Sequence, residues 1–188
     1  RAVGWKAAAR VVSDFAAMGG RPLRFLVTVA LPPETCVAWA EDLYRGIGDC
    51  LKTYGAVLAG GETSSVPAGS APVISIAAVG SVPRGQLVLR STAASGQTLL
   101  VTGTLGGSIH GKHLAFRPRI EEANWLAAHH KPCAMMDLSD GLAKDLPRMA
   151  AASGCGFELD LEALPLTPGC TVSQALGDGE DFELLFSM

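Results

Sequence analysis

The residues of this chain best suited to do chemistry are acids placed beside glycines and next to apolar runs. The densest set is Met136-Asp137-Leu138-Ser139-Asp140-Gly141-Leu142, where two carboxylates three residues apart bracket a serine. It follows the apolar run Cys133-Ala134-Met135-Met136 and precedes a helix-like pattern. Acids at such a strand-to-helix junction suit a hard cation such as Mg²⁺, which takes oxygen ligands and leaves part of its shell for substrate phosphates. The same residue types also cap helices, so Asp137 or Ser139 as a plain N-cap is the competing reading.

Three further acidic turns repeat the theme: Ser13-Asp14, Gly60-Gly61-Glu62-Thr63 and Gly177-Asp178-Gly179-Glu180-Asp181. Gly60 and Gly61 allow close backbone approach to a ligand. They place Glu62 at the expected end of a strand, where α/β sheets bind ligands. Repeated negative charge with no matching basic patch calls for cations, with Arg90, Lys112 or Arg119 left to neutralise phosphate oxygens. The run Gly106 to Lys112 satisfies most of G-x-x-x-x-G-K after an expected strand. The next residue is His113, where a phosphate loop needs a Ser or Thr hydroxyl for Mg²⁺. A glycine loop near phosphate is therefore expected, without a P-loop fold.

Alternating helices and strands must position these residues. Apolar spacing of three and four predicts helices over Gly4–Met18, Glu34–Tyr54, Ile120–His130 and Leu142–Ala152. Strands are expected at Arg24–Leu31, Ala56–Ala59, Val73–Val79, Gln97–Thr102 and in the apolar run ending at Phe186. Phe157-Glu158-Leu159-Asp160-Leu161 alternates apolar and acidic residues and reads as a strand with one wet face. Leu166–Gln174 is low in pattern and reads as a loop open to disorder. Pro83–Arg90 is a natural break, so the expectation is an α/β protein of two α/β domains, residues 1–83 and 84–188.

Composition sets outer limits. A 188-residue chain that is 48% hydrophobic and 18% charged is globular, and a net charge of −3 with scattered Lys and Arg argues against a nucleic-acid partner. Apolar runs fall far short of the ~20 residues of a membrane span, and no signal-peptide pattern opens the chain, so a cytoplasmic setting is expected. Five cysteines, with no C-x-x-C pair, read as reduced and mostly buried. Arg1 at the start and Met188 within an apolar run read as cuts through a larger fold, truncated or incompletely ordered at both ends.

Taken in order, Gly4-Trp5-Lys6-Ala7, Ser13 to Gly19, Gly60-Gly61-Glu62-Thr63, Val101 to Gly106, Met136 to Leu142 and Gly179 to Leu184 resemble the thiamine-monophosphate kinase family. That family belongs to the superfamily of aminoimidazole-ribonucleotide synthetase, selenophosphate synthetase and a hydrogenase-maturation protein. The resemblance implies two α/β domains, a homodimer built through the first, and ATP with thiamine monophosphate as substrates. It implies Mg²⁺ at Asp14, Glu62, Asp137 and Asp140, ATP contacts at Gly61, Arg90 and Ser139, and Glu180 beside the thiamine substrate. No residue is implied as a catalytic base. Glu62 departs from the family's usual Asp by one methylene, and Asp178 stands where glycine is common. Another ATP-dependent member of the superfamily, or an inactive nucleotide-binding or dimerisation module, is the alternative.

Overall fold

A computed structural model describes residues 1–188. The chain divides into two compact units, one of Arg1–Val12 with Arg21–Ser81 and the other of Ser13–Gly20 with Val82–Met188. Helix α1 (Ala2–Ala17) contributes to both.

In the first unit, β1 (Arg21–Leu31) is the central strand of a three-stranded sheet. Its alternation is strict: Phe25, Val27 and Val29 are buried while Arg24, Leu26 and Thr28 face out. Each buried side chain contributes roughly 1.5–3 kcal/mol. Helix α2 (Val37–Thr53) follows, then β2 (Val57–Ser65), parallel to β1, and β3 (Val73–Ser81), antiparallel to it. α1 and α2 meet backbone to backbone at Gly4 and Gly46. A Cβ on Gly4 would lie 1.9 Å from the Leu43 carbonyl oxygen, and one on Gly46 equally close to that of Arg1.

Two expectations are corrected in this unit. α2 starts at Val37 rather than Glu34, because the Glu34 carboxylate accepts the Gly69 N–H at 2.6 Å instead of serving the helix. β2 does not stop at Ala59. The register steps from Phe25↔Leu58 to Leu26↔Gly60, so Ala59 is an extra residue in a bulge and the strand continues through both glycines.

In the second unit, β4 (Leu99–Val101) is followed by a single 3₁₀ turn at Ser108–His110, the short α3 (Lys112–Ala115) and α4 (Ile120–His129). Then come β5 (Ala134–Asp137), α5 (Leu142–Ser153), α6 (Val172–Gly177) and β6 (Leu184–Ser187). The sheet order is β4-β6-β5, with β6 antiparallel to both neighbours. Met136, Leu138, Leu142, Leu146, Met149 and Leu185 form its core.

The expected strand at Phe157–Leu161 is absent. Phe157 and Leu161 are each 48% exposed, and Phe157–Asp160 lines a cavity of about 880 Å³ together with Leu99–Val101 of β4. Its alternation finds no ladder to join. The Leu166–Gln174 region is ordered rather than loose: Leu166 bridges Leu105, and Thr171 with Gln174 forms a reciprocal capping box that starts α6. No helix is long and apolar enough to cross a membrane.

Candidate functional site

The acidic heptapeptide lies where β5 ends and α5 begins. On α1, Ala9, Ser13 and Ala17 fall on one buried stripe of i, i+4 spacing, which turns Ser13 inward at 1% exposure. Its hydroxyl donates to Oδ2 of Asp137 at 2.6 Å. Asp14, one residue further round the helix, is exposed. Burial pushes the Asp137 carboxyl up to about 6; the Ser13 hydrogen bond opposes this, and the negative charges of Asp14 and Asp145 add to it. The structure thus brings Asp14 and Asp137 into one field.

The helix-cap reading is overturned. The N-cap of α5 is Gly141, at φ 98° and with no side-chain cap, so neither Asp137 nor Ser139 performs that task. Asp145 covers the exposed backbone instead. Fully buried in the first turn of α5, it accepts the Asp140 N–H at 2.9 Å and Nη1 of Arg148 at 2.8 Å. Arg148 also donates to Oδ2 of Asp140, so Asp140 is half-exposed and ion-paired. Sequence reasoning missed Asp145. The signal was its place on the stripe Leu142, Asp145, Leu146, Met149, an acid at a buried helical spacing.

Beyond β5 and β6, antiparallel pairing continues into loops. Leu138 N–H donates to the Glu183 carbonyl, Phe182 N–H to that of Leu138 and Glu180 N–H to that of Ser139, each at 2.8 Å. This sets Glu180 against Ser139. Arg90, in contrast, is exposed, and its carbonyl accepts the hydroxyl of Ser153 at the other end of α5, roughly 17 Å from the acidic end by helical rise.

The phosphate-facing expectation for the glycine loop is corrected. Gly106 N–H donates to the buried Asp181 carboxylate at 3.1 Å and Gly107 N–H to Asp178 at 2.9 Å, so these amides are already matched to anions of the chain itself. Lys112 and Arg119 are likewise committed. Glu183, 1% exposed, accepts from Lys112 Nζ at 2.9 Å, from Arg119 Nε and Nη2 at 2.7 and 2.9 Å and from the Thr102 hydroxyl at 2.7 Å. Burial alone would push Glu183 up, but the hydrogen bonds from Arg119, Lys112 and Thr102 hold it below its usual value.

In the first unit, Gly61 lies so close to β1 that a Cβ would stand 1.9 Å from the Val27 carbonyl oxygen. Glu62 pairs with Thr28 in register, is exposed, and accepts from the Ser64 hydroxyl at 3.3 Å. Both sit inside β2 rather than at its end.

No group of three or more His, Cys, Asp or Glu side chains stands ready as a complete metal cage. What is present is a partly buried carboxylate, Asp137, raised mainly by burial and in part by the charge of a second, Asp14. That donor set fits a hard cation held by one or two carboxylates with water and phosphate completing its shell.

Residues 1–82 match the N-terminal domain model of AIR synthase related proteins, and residues 77–188 match its C-terminal domain model. The thiamine-monophosphate kinase of Rhodopirellula baltica is 42% identical over 98% of this chain and 60% of its own length. That of Synechococcus elongatus is 32% identical over the whole chain and 65% of its own. The chain therefore spans less than two thirds of these curated relatives. The solved thiamine monophosphate kinase of Aquifex aeolicus superposes with a TM-score of 0.89 at 30% identity, over 99% of this chain and 71% of that one. A complex described as AaThiL with AMPPCP and TMP gives 0.91 at 31%, over 99% and 68%. The chain belongs to the AIR synthase related family.

Proposed function

We propose that this chain carries phosphate-handling machinery of a thiamine-monophosphate kinase, which transfers the γ-phosphoryl group of ATP to thiamine monophosphate and gives thiamine diphosphate. The observation that carries this reading is the Ser13–Asp137 hydrogen bond, which fixes a partly buried carboxylate in the field of Asp14 in a chain whose relatives bear that name. The AaThiL complex with AMPPCP and TMP supports the same two substrates.

Asp14, Asp137, Asp140 and Glu62 are the proposed Mg²⁺ ligands. Bound there, Mg²⁺ would neutralise phosphate charge. Asp140 would exchange its Arg148 partner for this role. Ser139 and Gly61 are proposed to contact ATP near its phosphates, and Arg90, at the far end of α5, to meet the remote end of an extended nucleotide. Glu180 is proposed to face the acceptor. An acceptor phosphate is already nucleophilic, so positioning suffices and no general base is assigned.

The outer face of the first unit's sheet presents Leu26 at 52%, Val57 at 49%, Val73 at 54% and Val79 at 63% exposure. We propose that a second copy covers it in a homodimer; Leu26→Asp should then halve the mass measured by light scattering. A cytoplasmic setting accords with five free cysteines; the expectation that most are buried is corrected, since only Cys50 is buried, its thiol pushed up to about 12 by burial, while Cys36 and Cys133 are exposed.

The test is incubation of the purified protein with ATP, Mg²⁺ and thiamine monophosphate, with chromatographic detection of thiamine diphosphate. Absence of product sinks the kinase reading, and ATP binding without turnover would favour an inactive binding module.

A further inference from the structure

We infer that Gly179–Phe182 is a strained coupling turn and that Asp181 is the positioning residue that holds it, keeping Glu180 on the acceptor side locked to Ser139 on the nucleotide side. This deepens the kinase reading and rests on it for the identity of the two substrates.

The first observation is backbone strain. Three non-glycine residues of the chain have positive φ, and two of them, Glu180 at 55° and Phe182 at 50°, flank Asp181, directly after Gly179 at 69°. Side chains disfavour this left-handed region because Cβ crowds the following carbonyl. Such a run persists only where its surroundings over-determine it, and strain of this kind concentrates at functional sites.

The second observation is what restrains the turn. On one side it is tied to the acidic heptapeptide, through Glu180 N–H to the Ser139 carbonyl and Phe182 N–H to that of Leu138. On the other it is tied to the glycine loop. Asp181 accepts from Gly106 N–H, Asp178 from Gly107 N–H, and the Ser108 hydroxyl donates to the Gly179 carbonyl. The Phe182 ring stacks on Phe116 with centroids 3.8 Å apart.

Asp181 is the buried carboxylate of these ties, at 1% exposure, and it is spent on a backbone amide rather than offered to a ligand, whereas Asp178 is exposed. Its chemistry is therefore indirect. Releasing Gly106 frees the turn to leave the left-handed region, and Glu180 then swings away from Ser139. Asp137, one of the proposed cation ligands, is held separately by Ser13 and does not depend on the turn.

The experiment compares the purified protein with Asp181→Ala and Asp181→Asn. Asparagine keeps an acceptor for Gly106 N–H; alanine does not. In the alanine variant, KM for thiamine monophosphate should rise by about 10-fold to 100-fold, as expected from loss of a hydrogen bond to a charged group. KM for ATP should change by less than about twofold, and asparagine should restore most of the loss. Equal losses for both substrates, an unchanged alanine variant, or no recovery with asparagine would overturn the inference.

Hydrogen exchange provides a reading independent of turnover. Alanine should remove protection at Glu180 and Phe182 while α5 stays protected, and retained protection at Glu180 would overturn the coupling. Failure of the parent protein to make thiamine diphosphate would instead count against the kinase reading, and the exchange result would still decide the coupling.

Discussion

Ser13 and Asp137 stand 124 positions apart in the chain, yet the serine hydroxyl donates to the Asp137 carboxylate at 2.6 Å. Ser13 is there because an i, i+4 stripe on α1 carries it inward. Asp137 is there because β5 ends at it. A hydroxyl at this position both orients the carboxylate and partly offsets the cost of its burial.

Ser13→Ala should push the Asp137 carboxyl above about 6, since it removes the group that opposes burial. The variant should lose about 1–3 kcal/mol at pH 8, where Asp137 is ionised. At pH 4 the gap to the parent protein should narrow. Urea unfolding at the two pH values checks this, and an equal loss at both would show that the hydroxyl serves packing alone.

Asp137→Asn should stabilise the metal-free protein above neutrality. The folded-state carboxyl is raised to about 6 by burial, with Asp14 and Asp145 adding to the effect. The neutral form's contribution is thus complete below the ordinary Asp range and is lost as pH rises through about 6. Asparagine should recover on the order of 2–3 kcal/mol at pH 8 and flatten the slope between pH 4 and 6. The same variant should lose Mg²⁺-dependent ATP binding, read by calorimetry.

Glu183→Gln removes the carboxylate shared by Lys112 and Arg119; both cations are about a third exposed and Arg119 keeps Glu122 at 2.9 Å, so the cost should be about 1–3 kcal/mol. Glu183 is held below its usual value, so its stabilisation is present above the ordinary Glu range and lost as pH falls through the depressed folded value. Acid unfolding of the variant should be less steep than that of the parent. A change under about 1 kcal/mol would mean that the cations find other partners.

Glu180→Gly should raise stability by about 1 kcal/mol, because glycine accepts φ 55° without crowding. Turnover should fall in the same variant. Calorimetric melting beside product formation tests the pair of outcomes, and a glycine variant with full activity would remove Glu180 from the acceptor site.

Local periodicity made much of the fold legible. α1, α4, α5, β1 and β3 lie close to where apolar spacing places them. Failures arose where a distant segment decides. Alternation at Phe157–Leu161 states a preference for pairing, but no strand is positioned to accept it. The glycine loop carries the local signature of a phosphate cradle, yet its amides meet Asp181 and Asp178, 75 and 71 positions away. Gly60-Gly61 reads as a turn because only the bulge against β1 explains why a strand runs through it. Asp145 was readable in principle, as an acid at a buried helical spacing, but an isolated helical acid gives no hint of the Arg148 and Asp140 groups it serves.

The strand order β4-β6-β5 places between two neighbours the strand synthesised after both. As the chain leaves the ribosome, β4 and β5 have no ladder to join until β6 emerges. Thr102, Lys112 and Arg119 wait equally for Glu183. The second unit is therefore expected to fold slowly, through contacts of high sequence separation. In that interval Leu99, Met135 and their neighbours are open to chaperones or to aggregation, so the yield of active protein in cells should depend on how quickly the central strand is delivered.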